Sequence, residues 1–131
     1  YGLAGVRIIS EPWSYEGEVK QLQDIDIGIM PLRDDEWARG KCGLKLIQYM
    51  SVGIPVVASP VGVNSHIVKD GTNGYLASSE EEWVEKLSLL VEDKALRMRF
   101  GIAGRTLVEK DYSLRVNFEK LKESLMRVAN E

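Results

Sequence analysis

Two glycines, two lysines and a glutamine share one short stretch, Gly40-Lys41-Cys42-Gly43-Leu44-Lys45-Leu46-Ile47-Gln48. Glycine lets a backbone approach a ligand closely. A helix that starts just after such a loop has unpaired first-turn N–H groups and the positive end of its dipole there. That combination binds anions, phosphate above all. Lys41 and Lys45 add side-chain charge at the same place. Gln48, four residues past Leu44, lies one helical turn further on and can hydrogen-bond a polar group beyond the phosphates. The bland reading stands beside this one: a tight turn into a helix, with Gln48 facing solvent.

Other candidate residues carry less chemistry. Cys42 is the only cysteine, so no intrachain disulfide is possible, and with no evident base nearby it is expected to be a packing residue. His66 is the only histidine and has no evident orienting partner, so a surface or capping role is expected. Asp24-Ile25-Asp26 has the look of a metal-binding pair, but it precedes a strand instead of following one. No His, Cys, Asp and Glu cluster has metal-ligand spacing, so neither a metal nor a cofactor is expected. The three tryptophans are scattered, and Trp37, in a charged loop, is the one candidate among them for facing a ligand. Arg33 follows Pro31 at the C-terminal end of a strand, where α/β proteins bind ligands.

These residues need a frame. The chain has 131 residues, 44% hydrophobic and 28% charged, enough for one soluble domain with a modest core. The net charge of −3 gives no reason to expect nucleic acid as a partner. No apolar run approaches the roughly 18 residues of a membrane span. The chain starts at Tyr1, without Met or a signal peptide, and is expected to be a piece of a longer protein.

Pattern and punctuation suggest the elements. Strands are expected at 6–10, 25–30, 55–59 and 75–77, and helices at 13–22 and 44–51, with charged loop at 32–39. Asn64 or Ser65 is expected to cap a short helix reaching Lys69, and Asp70-Gly71-Thr72-Asn73-Gly74 is turn chemistry. Ser79 with Glu82 is a capping box that opens a helix to about Glu92. Another helix runs from Asp93 or Lys94 to about Lys110, and Ser113 caps a last one. In that last helix Leu114, Phe118, Leu121, Leu125 and Val128 form an apolar stripe, read as core or packing, with the helix also able to brace another domain of a longer protein. The fold class is α/β: a Rossmann-like parallel sheet of about four strands with a helical C-terminal tail.

The order of motifs resembles the C-terminal, nucleotide-sugar-binding domain of GT-B-fold glycosyltransferases, family 4. The matching residues are Met50-Ser51-Val52-Gly53-Ile54-Pro55-Val56-Val57-Ala58-Ser59, then Pro60-Val61-Gly62, then Asp70-Gly71-Thr72-Asn73-Gly74, with Gly104-Arg105 and Tyr112-Ser113 near the end. The resemblance covers essentially the whole chain. It implies that the parent protein is a glycosyltransferase of hexosyltransferase type, serving glycan biosynthesis with a nucleotide diphosphate sugar as donor substrate. Lys41, Gly43, Leu44 and Lys45 would hold the donor phosphates. Gly40 and Gln48 fall where the family carries two glutamates, for the donor sugar and the ribose. Gln48 can still bond ribose hydroxyls, whereas Gly40 supplies no carboxylate; Asp34, Asp35 and Glu36 are the nearby substitutes.

The family's first two strand–helix units and its N-terminal acceptor domain have no counterpart here. Residues 1–131 are thus expected to form a single partial domain, inactive alone, with the N-terminal domain of the same protein as its partner. Without the strands that separate 6–10 from 25–30, the chain is expected to pair strands between copies or to re-dock 6–10 beside 25–30. The resemblance also implies a cytoplasmic location, with the longer protein able to sit peripherally at a membrane. The alternative function is a degenerate, non-catalytic nucleotide-binding or scaffold module of the same fold.

Overall fold

The structure is a computed structural model that describes residues 5–129. Its centre is a parallel three-stranded sheet of β1 (Gly28–Met30), β2 (Val56–Ala58) and β3 (Gly74–Leu76), in that spatial order. Gly28 pairs with Val56, and Val56 with Gly74. β2 is wholly buried because it is covered on both faces, as its unbroken Val-Val-Ala run requires.

Side chains alternate across a strand, so β2 feeds two cores. Val56 and Ala58 pack with Leu46 and Met50 of α3 (Leu44–Ser51), Ile67 of α4 (Asn64–Ile67), Val68 and Val108. Val57 packs on the other side with Ala77, Leu90 of α5 (Glu80–Glu92), and Leu96 and Phe100 of α6 (Lys94–Leu107). Close approach between α6 and the end of α3 depends on glycine: a β-carbon at Gly101 would overlap the carbonyl of Gly53.

Most local expectations hold. The Ser79–Glu82 capping box is present in both directions. Asp93 caps α6 through Leu96 N–H at 2.9 Å. Asp70 accepts from Leu76 N–H, and buried Asn73 bonds Lys69 and Ile67, so the Asp-Gly turn is held from within. The Ser113 hydroxyl accepts from Val116 N–H at the start of α7 (Leu114–Ala129).

Several expectations fail. Residues 6–10 form no strand, and Val6, Ile8 and Ile9 stand 58–62% exposed. A strand needs a neighbour to take its N–H and C=O groups, and 6–10 pairs with none among the described residues, so β1 and β3 remain the two edges of the sheet. The sheet has three strands, not four, and re-docking of 6–10 beside β1 does not occur. The helix expected at 13–22 is the shorter α1 (Glu18–Gln23), entered through a turn in which Gly17 N–H donates to Ser14 Oγ. The 32–39 loop contains a helix, α2 (Glu36–Arg39), because the Asp35 carboxylate caps it through Ala38 N–H at 2.7 Å. Asn64 does not cap α4; it is buried and donates to the Ser59 carbonyl. α6 ends at Leu107 and passes into a π-turn, Val108–Tyr112. The stripe on α7 is neither core nor packed: α7 buries none of its residues, and Leu114 is 85% exposed.

Candidate functional site

The N-terminus of α3 opens onto a cleft of about 660 Å³. It lies at the C-terminal end of β1, where Met30 forms part of its wall, the usual ligand side of a parallel sheet. Gly40, Lys41, Gly43, Leu44, Lys45 and Gln48 all line it. The structure thus brings every sequence-nominated residue of this stretch to one place.

Gly43 makes the geometry possible. It is the N-cap of α3 in the left-handed conformation, φ 71° and ψ 19°, which strains any residue with a β-carbon. Its carbonyl takes the first helical bonds, from Leu46 and Ile47 N–H. No side chain caps this helix end, so the early N–H groups are left for water or a ligand. Lys41 and Lys45 stand exposed on either side of Gly43 in sequence. Positive charge and free N–H groups therefore line the same cleft.

Another wall of the cleft is built from two elements. The Gln48 side-chain amide donates to the Glu18 carboxylate, joining α3 to the start of α1. Both residues are half-buried and line the cleft. Trp13, 69% exposed, completes that wall. Sequence reasoning missed Glu18 and Trp13. Glu18 lacked a local signal because its partner is 30 residues away.

Other nominated residues lie elsewhere. The Asp34 carboxylate is paired with Arg39 at 2.6 and 3.1 Å, and that guanidinium hydrogen bond holds its pKa below the ordinary value. Asp35 is spent on capping α2. Glu36 and Trp37 border a separate, smaller depression that shares Gly40 and Lys41 with the main cleft, and Trp37 does not line the main cleft. Arg33 and Asp34 border a different hollow of about 500 Å³, with Ser59 and Ser78. Cys42 is exposed in the cleft, not packed as expected. His66 is on the surface of α4, and Asp24 is the C-cap of α1. Burial raises the pKa of Tyr49, which lies behind Gln48 with its ring over Gly28. Among the described residues, no three His, Cys, Asp or Glu side chains group as metal ligands. No helix among them is long and apolar enough to cross a membrane.

Comparison with known proteins adds three findings. The sequence model of the family described as "Glycosyl transferases group 1" matches residues 8–107. An uncharacterized glycosyltransferase of Methanocaldococcus jannaschii is 28% identical over 93 residues, which cover 70% of this chain and 24% of that protein. The chain therefore spans about a quarter of the length of that relative. Among solved structures, the C-terminal domain of a glycosyl transferase group 1 family protein (LpcC) from Francisella tularensis superposes with a TM-score of 0.69 at 23% identity. That match covers 81% of this chain and 53% of the other. Anabaena HepE, in complex with UDP and glucose, superposes with a TM-score of 0.73 at 17% identity, over 82% of this chain and 29% of its own.

Proposed function

Because this chain belongs to the glycosyl transferases group 1 family, we propose that it is the donor-binding part of an enzyme that transfers a sugar from a nucleotide diphosphate donor. One observation carries the reading: Gly40, Lys41, Gly43, Leu44, Lys45 and Gln48 converge on one cleft at an uncapped helix N-terminus. The diphosphate lies against the N–H groups at Gly43 and Leu44, flanked by Lys41 and Lys45. Gly40 lies beside the donor sugar and leaves it room, and Gln48 lies on the ribose side.

The chemistry is electrostatic and needs no metal. As the glycosidic bond breaks, negative charge grows on the leaving diphosphate. Helix N–H groups fixed by the fold, with the two ammonium groups beside them, stabilise that charge. The acceptor, and any base that activates it, belong to an N-terminal domain of the longer protein. The bare apolar stripe of α7 supports a contact with that domain, because Phe118, Leu121 and Leu125 are all more than half exposed. Alone, the chain has no transferase activity.

A second reading has its own support. Gly40 has no side chain, Asp34 and Asp35 are occupied elsewhere, and Glu36 borders a separate depression and does not line the cleft, so no carboxylate stands at the sugar end. That favours a degenerate nucleotide-binding module. An amide NMR titration with UDP, GDP and CMP tests binding. Shifts confined to residues 40–48 with one nucleotide support a donor site and name its base; no shifts at millimolar ligand overturn both readings. Transfer assays of Lys45→Ala and Gln48→Ala in the longer protein then separate enzyme from module. Reduced transfer supports the enzyme; unchanged transfer overturns these site assignments.

A further inference from the structure

We infer that Glu18, oriented by Gln48, is the acceptor of the ribose hydroxyls in this cleft. The inference rests on the donor-binding reading and goes beyond it by assigning the nucleoside end to α1 instead of to α3 alone.

The cleft carries both signs of charge. Its cations are Lys41 and Lys45 beside the α3 N-terminus, and Glu18 is the one carboxylate among its described lining residues; Lys45 also borders a smaller pocket together with Glu18 and Trp13. Gln48 lies four residues past Leu44, about 6 Å along the helix axis at about 1.5 Å per residue. A ligand seated with its anionic groups at Gly43 therefore presents its next segment to Glu18 and Gln48. A carboxylate repels a phosphate but accepts strongly from hydroxyls. In a nucleoside diphosphate, the segment that follows the phosphates is a ribose with two adjacent hydroxyls.

The hydrogen bond between Gln48 and Glu18 decides the roles. The Gln48 amide nitrogen donates to one carboxylate oxygen. That pins Glu18, a lining residue of the cleft, and leaves its second oxygen with acceptor capacity. It also uses one of the two N–H donors of Gln48 and fixes the orientation of the amide, so its own carbonyl oxygen remains as a second acceptor. Two acceptors side by side match a vicinal diol, which has two hydroxyls to donate. Gln48 is thus a positioning residue, and Glu18 the group that touches the ligand.

The test compares UDP and GDP with their 2′,3′-dideoxy forms, by calorimetry or NMR titration of the whole chain. The native chain is expected to bind the ribo form about tenfold more tightly. Glu18→Gln keeps the shape and a hydrogen bond to Gln48 but removes the charged acceptor. It is expected to bind the dideoxy form as the native chain does and to lose most of the ribose preference. The exchange Glu18→Gln with Gln48→Glu restores a carboxylate–amide pair and is expected to recover part of the preference. A purely structural clasp between α1 and α3 would weaken both nucleotide forms equally. Full ribose preference in a folded Glu18→Gln chain, or equal weakening of both forms, overturns this inference and leaves the donor reading standing. Failure of native chain to bind either diphosphate overturns the donor reading, and this inference with it.

Discussion

Gly43 rests against the δ-methyl of Ile67, so closely that a β-carbon at position 43 would overlap it and lie 3.1 Å from Cγ2 of Val63. Ile67 is 2% exposed and cannot swing away into solvent. Gly43 itself has φ 71°. One position thus holds the core beneath the cleft and the helix end that opens into it.

Gly43→Ala is therefore expected to cost about 1–3 kcal/mol, from left-handed strain together with overpacking. Urea denaturation measures it. Nucleotide binding should fall as well, because the α3 N-terminus must move to make room. A variant as stable as the native chain would show that the turn relaxes freely.

Lys41→Ala and Lys45→Ala are each expected to weaken a nucleoside diphosphate by about two- to fivefold, the scale of an exposed charge contact. The uncharged nucleoside should bind as before. High salt should shrink the difference, since both lysines are exposed and screened. Equal loss for nucleoside and diphosphate would remove both lysines from the phosphate end.

Trp13 borders the cleft, Trp37 does not, and Trp83 packs against the second core. Nucleotide binding is expected to change the Trp13 fluorescence, and Trp13→Phe should abolish that change. Trp13→Ala should also weaken binding about fivefold or more if a base stacks on the indole, as base–aromatic contacts generally do. A fluorescence change that survives in Trp13→Phe would place the ligand elsewhere.

Stability should fall on the acid side in part through Glu82. Backbone N–H groups of Ser78 and Ser79 bond its carboxylate and lower its pKa from the ordinary 4.5. A lowered folded-state pKa adds stability above the ordinary value, lost as pH falls through the folded value. Glu82→Gln is expected to flatten that acid decline without shifting behaviour above neutrality. Ser79→Ala, which removes the other half of the box, should cost about 1 kcal/mol. Urea midpoints measured from neutral pH downward check both.

β1 leaves one edge of the sheet open, and Val6, Ile8 and Ile9 lie exposed. Gly28 N–H donates to Pro55, so alternation along the strand turns the Ile29 N–H toward the free edge. The isolated chain is expected to self-associate through this edge, with a sedimentation coefficient that rises with concentration. Ile29→Pro removes the outward donor and should reduce association. A monomer at all concentrations would refute edge pairing.

Features decided within a few residues were legible in the sequence. The Ser79–Glu82 box, the Asp93 cap, the bounds of α3 and the run from Met50 to Ser59 each depend on neighbours along the chain. So did the gathering of Gly40, Lys41, Gly43, Leu44, Lys45 and Gln48, because one loop and one helix carry them all. Tertiary structure alone decided the rest. Residues 6–10 have strand composition but no partner strand, and a ladder cannot be read from one side. The α7 stripe has helical periodicity, which says that one face is apolar but not what covers it. Glu18 met Gln48 only when α1 folded against α3, since a hydrogen bond across 30 residues leaves no local pattern.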